Sequence, residues 1–228
     1  MKYDAVIFDF DGVLLDADKN SFKWANDVRE QKARELGYEH DLEVLRALFE
    51  VEKSSEKMKK FLSKHEIDLE DLRTWEKEVE KEKIRLVKHG QLGLYPGARE
   101  LLEELNVPKA LISNAYGEAT DEIVRDLGLD EHLGFWKAPS LDDIEAYVEQ
   151  MKPHPDMILE AMEAMGVDEA LMVGDSMSDV EAAENAGIDS VYIDRDGEKL
   201  EEATYNVETL EEVKEIVGVR PSQLPLSV

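Results

Sequence analysis

The chain has 228 residues, 43% of them hydrophobic, which is enough for one large domain or for one domain with an insertion. Its formal net charge of −27 leaves nothing to neutralise nucleic-acid phosphates, and it repels anionic substrates at long range unless salt screens the field. The absence of cysteine excludes disulfides, thiolate zinc sites and cysteine nucleophiles.

The chain opens on Asp4-Ala5-Val6-Ile7-Phe8, an apolar run of strand length that ends in Asp9-Phe10-Asp11-Gly12. Such a run bounded by a turn signal suits a buried parallel strand, and period-two alternation points Asp9 and Asp11 to the same side. Gly12 lets the backbone turn away sharply. Two carboxylates this close repel each other unless a cation or a hydrogen-bond donor compensates. They read either as a divalent-metal site with a carboxylate nucleophile beside a general acid, or as a polar, helix-capping loop.

Four helices are predicted next. The first spans 21–36, with Phe22, Ala25, Val28 or Arg29, Lys32, Ala33 and Leu36 on one face and Gly37 closing it. The second spans 41–50, with Leu42, Leu45, Leu48 and Phe49 inward, and the third 54–65, with Met58, Phe61 and Leu62 inward. The fourth runs from an Asp68 cap to His89, with Leu69, Leu72, Trp75, Val79 and Leu86 inward. Residues 16–90 therefore read as an all-helical unit whose apolar faces need something to pack on.

Beyond residue 90 the pattern alternates. A turn at Tyr95-Pro96-Gly97 starts a helix over 98–105, and Pro108-Lys109-Ala110-Leu111-Ile112-Ser113-Asn114 is an apolar strand ending in small polar residues. A helix over 119–127 is closed by Gly128, 133–136 reads as a short strand, and 141–150 is acidic and reads as helix or loop. Two prolines stiffen Lys152-Pro153-His154-Pro155-Asp156, and Asp156 is placed to cap a helix over 157–165. The strand Ala170-Leu171-Met172-Val173 runs into Gly174-Asp175-Ser176-Met177-Ser178-Asp179. A helix over 180–186, a strand over 190–193, a helix over 210–217 and a loose tail over 220–228 complete the chain. The alternation implies an α/β fold: a Rossmann-like three-layer α/β/α core with a parallel sheet and helices on both faces. Right-handed crossovers then bring the carboxyl ends of the strands to one edge. Asp9, Asp11, Ser113, Asn114 and Asp175 each follow a strand, and Lys152 can reach the same edge.

Four segments resemble, in order, the motifs of the haloacid dehalogenase-like hydrolase superfamily: Asp9-Phe10-Asp11-Gly12-Val13, Ile112-Ser113-Asn114, Lys152-Pro153-His154-Pro155-Asp156 and Gly174-Asp175-Ser176-Met177-Ser178-Asp179. Tyr95-Pro96-Gly97 and Ala182-Ala183-Glu184-Asn185-Ala186-Gly187 match their usual surroundings. The helical insert resembles the cap of the phosphoglycolate phosphatase and beta-phosphoglucomutase branch. The resemblance implies a discontinuous core domain, 1–15 and 91–228, and a helical cap domain, 16–90, hinged near 15–18 and 90–95. It implies that Asp9 attacks phosphorus to form an aspartyl-phosphate, and that Asp11 protonates the leaving alcohol and later deprotonates water. It implies Mg2+ held by the Asp9 carboxylate, the Asp11 backbone carbonyl and the Asp175 carboxylate, with Asp179 holding a metal water or orienting the site. Ser113 and the Asn114 backbone amide would bind phosphate oxygens, and Lys152 would pair with both the phosphate and Asp9.

Within that resemblance Asp11 favours phosphoryl transfer over dehalogenation, and Ser21, where mutases of the branch carry a histidine, favours simple hydrolysis. The expected activity is magnesium-dependent hydrolysis of a small phosphorylated metabolite. A beta-phosphoglucomutase-like sugar phosphomutase and a non-catalytic partner-binding protein are the alternatives. Lys137 is a rival for the role of Lys152, and His154 reads as a loop residue rather than a ligand. Arg46, Lys53 and Lys57 are candidates for a second anionic group, with solvated faces an equal explanation. Trp24, Trp75 and Trp136 read as core or cap packing. No apolar run approaches the roughly 20 residues of a membrane helix, and the start lacks a signal-peptide pattern, so no membrane partner and a cytoplasmic location are expected. A monomer or weak dimer is expected. The acidity fits either a salt-loaded cytoplasm or plain solvated helix faces.

Overall fold

The structure is a computed structural model and describes residues 2–17, 23–37 and 55–218. Six strands form one sheet: β1 (Ala5–Phe8), β2 (Lys109–Ile112), β3 (Phe135–Lys137), β4 (Ala170–Gly174), β5 (Asp189–Ile193) and β6 (Tyr205–Val207). Their order is β3-β2-β1-β4-β5-β6, and every pairing is parallel. The helices are α1 (Lys23–Glu35), α2 (Ser55–Lys64), α3 (Leu69–Lys88), α4 (Ala98–Glu104), α5 (Gly117–Asp126), α6 (Ile144–Gln150), α7 (Asp156–Met165), α8 (Met177–Ala186) and α9 (Leu210–Gly218).

Both faces of the sheet are covered, which is why β1 reads as an unbroken apolar run rather than an alternating one. Val6 and Phe8 join Leu111, Leu171 and Val191 on one face, against Leu101 and Leu102 of α4, Ile123 of α5 and Val213 of α9. Ala5 and Ile7 join Ala110, Ile112 and Met172 on the other, against Met157 and Ile158 of α7 and Ala182 and Ala183 of α8. The three-layer α/β/α arrangement follows. Chain order reverses direction across β1, which lies between β2 and β4, so the carboxyl ends of those three strands frame a crevice.

Among the described residues from 23 to 90 every element is a helix. Asp68 caps α3 by accepting a hydrogen bond from the Glu70 amide at 2.7 Å, and Glu70 and Asp71 at its start with Arg85 and Lys88 at its end complement the helix dipole. Its buried stripe holds Leu72, Trp75, Val79 and Leu86 as predicted, and also the unpredicted Glu80 and Lys83. A second apolar cluster sets Trp75, Leu72, Phe61 and Leu62 against Tyr116 of the α5 entry, Tyr147 of α6 and Met151. The two chain crossings between the helical stretch and the sheet pair with each other: the Tyr95 amide donates to the Leu14 carbonyl and the Asp16 amide to the Gly93 carbonyl, both at 2.9 Å.

Several expectations are corrected. Asp156 does not cap its helix; Pro155 holds the cap position and Asp156 is the first helical residue. Leu36 is 42% exposed, so the inward face of α1 ends at Ala33. Of the alternatives Val28 and Arg29, it is Arg29 that is buried, because its guanidinium finds Glu76 of α3 at 3.0 Å. The acidic stretch 141–150 contains α6, capped by Asp143, whose carboxylate accepts from the Ala146 amide at 3.0 Å. Strand β6 was not anticipated, because a three-residue edge strand, Tyr-Asn-Val, carries almost no periodic signal. The helix expected over 41–50, Ser21, Arg46, Lys53 and the tail over 220–228 lie outside the described residues, as does the side chain of Lys57.

Trp75 is fully buried at the junction of α3 with α5 and α6. Trp75→Ala is expected to destabilise the fold by about 3–5 kcal/mol, read as a lowered midpoint in urea unfolding.

Candidate active site

The residues singled out in four separated segments meet at the carboxyl edge of the sheet. β1 delivers Asp9, whose amide continues the ladder by donating to the Val173 carbonyl at 2.8 Å. β4 delivers Asp175, and the first turn of α8 carries Asp179. The loop ahead of α7 supplies Lys152, which is 1% exposed. Its Nζ lies 2.7 Å from Asp9 Oδ1 and 2.6 Å from Asp179 Oδ1. The second oxygen of Asp179 accepts from the Ser176 amide at 3.1 Å and from the Ser176 hydroxyl. Both oxygens of Asp179 are thus engaged, and the side chain is held rigidly behind Lys152.

Two glycines make this packing possible. A Cβ on Gly174 would overlap the side chain of Asp179, and one on Gly12 would overlap the carboxylate of Asp175. Gly12 also has φ +79°, a conformation that side-chain-bearing residues rarely adopt.

Asp9, Asp175 and Asp179 each offer a carboxylate oxygen within 4.8 Å of the others. Lys152 pairs with two of these three acids, Asp9 and Asp179, so in this largely buried setting one ammonium faces two carboxylates. Burial, followed by the Asp179 carboxylate, pushes the Asp9 carboxyl up to about 7 against the opposing pull of Lys152. Burial alone would lower the Lys152 ammonium; Asp179 and Asp9 outweigh it and hold the group above its ordinary value. An all-oxygen donor set with unbalanced negative charge fits a hard divalent cation.

Asp11 turns to a different partner. Its Oδ2 accepts from the buried Lys83 ammonium of α3, and its Oδ1 is buried without a hydrogen-bond partner among the described residues. Lys83 also lies 3.6 Å from Glu80 Oε2. Burial raises the Glu80 carboxyl to about 7 despite the opposing charge of Lys83. Sequence reasoning missed Lys83. The available signal was its position, four residues after Val79 and three before Leu86, on the helix's mostly apolar buried stripe.

Ser113 is 2% exposed, and its Oγ accepts from the Ala115 amide at 3.0 Å. The Asn114 side chain has a role the sequence did not suggest. Its Oδ1 accepts from the Lys152 amide at 2.7 Å and its Nδ2 donates to the Lys152 carbonyl at 3.2 Å, so one amide brackets the lysine's main chain. The Tyr147 hydroxyl of α6 in turn donates to the Asn114 carbonyl at 2.8 Å. Lys137 is not brought in: its ammonium pairs with Glu160 of α7. His154 is exposed beside Asp156 at 3.3 Å. Trp24 donates to the Ala17 carbonyl at 2.9 Å and Trp136 to Asp121 at 3.1 Å, so both are tied into packing.

The chain is similar to known proteins over most of its length. A family model described as haloacid dehalogenase-like hydrolase matches residues 6–193. The phosphorylated carbohydrates phosphatase of Thermotoga maritima is 30% identical over 197 residues, covering 83% of this chain and 84% of its own. The phosphoglycolate phosphatase of Vibrio parahaemolyticus is 29% identical over 236 residues, covering 94% and 96%. The crystal structure of a HAD phosphatase from Thermococcus onnurineus superposes with a TM-score of 0.64 at 25% identity, over 96% of this chain and 98% of that one.

Because Gly12 is needed both for its backbone conformation and for the approach of Asp175, Gly12→Ala is expected to lower kcat by about 100-fold through misplacement of the acids. Steady-state assays, with circular dichroism confirming retained secondary structure, check this.

Proposed function

This chain belongs to the haloacid dehalogenase-like hydrolase family and is a phosphatase, and from that premise we propose a magnesium-dependent phosphomonoesterase that acts on a small phosphorylated metabolite through an aspartyl-phosphate. The observation that carries the reading is the buried Lys152 ammonium held between Asp9 and Asp179, with Asp175 alongside. A carboxylate is a poor nucleophile toward a phosphate dianion unless positive charge is already in place. Lys152 supplies one such charge at the attacking group.

Mg2+ would be held by the carboxylates of Asp9 and Asp175 and the backbone carbonyl of Asp11, with Asp179 orienting the site. When bound, it offsets charge on the transferring phosphoryl group. Asp9 attacks phosphorus, and the bond to the leaving oxygen breaks as Asp11 donates a proton to it. Asp11 then takes a proton from a water that attacks the same phosphorus, releasing inorganic phosphate and restoring the Asp9 carboxylate. Ser113 and the Asn114 amide bind the non-bridging oxygens. Lys83 holds one oxygen of Asp11, so that its unpartnered Oδ1 is left to exchange protons with the leaving group and the water.

Residues 16–90 act as a cap over a core of 1–15 and 91–228, closing through the apolar cluster around Trp75 and excluding bulk water during transfer. The names of the two curated relatives support a phosphorylated sugar or a short phosphorylated acid as substrate. The enzyme works in the cytoplasm, as a monomer or weak dimer.

The protein is expected to hydrolyse p-nitrophenyl phosphate with Mg2+ and to lose that activity in Asp9→Asn and on chelation; a fully active Asp9→Asn protein refutes the reading. A second test uses the raised Asp9 carboxyl. The folded protein binds a proton there between 3.8 and about 7 that the unfolded chain does not. The contribution of this group to stability therefore falls as pH rises through that window. Mg2+ is expected to raise Tm more at about pH 8 than at about pH 5, because at the lower pH protons compete for the same oxygens. Differential scanning calorimetry with and without Mg2+ measures it.

A further inference from the structure

We infer that Arg195 is a positioning residue that clamps the Asp11 loop to both chain crossings; its catalytic consequence rests on the phosphomonoesterase reading. Arg195 lies two residues beyond β5, on the far side of β4 from the motifs that meet at Lys152. Its guanidinium reaches the segment just after Asp11, donating to the Gly12 carbonyl at 2.6 Å and to the Val13 carbonyl at 3.1 Å. The same planar group stacks on Tyr95, its central carbon 3.4 Å from the ring centroid. Tyr95 belongs to the second crossing, and its amide is bonded to Leu14 of the first. One side chain therefore touches the outgoing and the returning strand of chain where they leave the sheet.

The base of this side chain is itself fixed. The Asp194 carboxylate accepts from the Asp196 and Glu198 amides at 2.9 and 3.0 Å, and the Asp194 amide donates to Val207 of β6 at 3.0 Å. The turn after Asp11 is closed internally by Gly12 N to Leu15 O at 2.9 Å and Leu14 N to Phe10 O at 3.0 Å. Arg195 fastens that turn to the sheet by its next carbonyls. Gly12 also bounds the space of the Asp175 carboxylate, so a shift of this turn moves the setting of two acids at once. A lysine cannot substitute: a point charge does not span two carbonyls and stack on a ring together.

The test compares wild type, Arg195→Ala and Arg195→Lys by hydrogen exchange and by p-nitrophenyl phosphate kinetics at saturating Mg2+. Arg195→Ala is expected to speed amide exchange over 12–16 and 93–95 by about tenfold, with β4 unchanged. It is expected to lower kcat by about tenfold with KM within about twofold, because Ser113 and Lys152 are untouched. Arg195→Lys is expected to recover less than half of the loss. Unchanged exchange in the two crossings, a uniform rise that includes β4, or an unchanged kcat in an active enzyme each overturns the inference. A wild type that hydrolyses no phosphate ester overturns the proposed function instead, and the exchange data then decide the clamp alone.

Discussion

The site depends on one buried ammonium. Lys152 is almost completely removed from water and is tolerated there only because Asp9 and Asp179 lie within 2.7 Å of its nitrogen. Breaking a buried pair of this kind by removing one partner costs about 3–5 kcal/mol, because the charge left behind has no solvent to turn to. The pairing is geometric as well as energetic. Asn114 grips the lysine's main chain on both sides, Ser176 holds the rear oxygen of Asp179, and Gly174 clears the space into which Asp179 folds. The Asp9 carboxyl is raised first by its burial and then by the neighbouring Asp179 carboxylate, against the pull of Lys152.

The parallel sheet is what allows such a convergence. With β1 between β2 and β4, residues more than 160 positions apart in sequence, Asp9 and Asp175, follow neighbouring strands. The register matches Phe8 with Val173, so the two chains leave the sheet at the same level. Strands buried on both faces cannot slip by a residue without exchanging the side chains of Ala5 and Ile7 with those of Val6 and Phe8 between two differently shaped clusters. Register and site geometry are therefore specified by the same packing.

A second set of buried charges belongs to the helices. Arg29 with Glu76, and Lys83 with Glu80 and Asp11, place titratable groups between α1, α3 and the sheet edge. Such groups contribute little net stability compared with apolar residues of the same size. What they supply is orientation: Lys83 selects one oxygen of Asp11 and leaves the other directed elsewhere. The apolar cluster around Trp75 provides the cohesion that holds α3 near enough for this to happen.

Strands β1, β2, β4 and β5, the α3 stripe and the acids at strand ends were legible in the chain because each is written locally. An apolar run closed by polar residues needs no distant partner to be recognised, and spacing of three and four on α3 places Leu72, Trp75, Val79 and Leu86 on one face. Local patterning was enough for the layered class and for the edge at which strand ends gather, and together with the family resemblance it singled out Asp9, Asp11, Ser113, Asn114, Lys152, Asp175 and Asp179 as candidates there. It did not determine the pairing among them. That Asp11 meets Lys83 rather than its neighbour Asp9's partner, that the Asn114 side chain grips Lys152, and that Arg195 reaches Gly12 across 183 residues are facts of tertiary contact. They depend on distances between segments remote in the chain, and local patterning carries no information about such distances until the whole chain has packed.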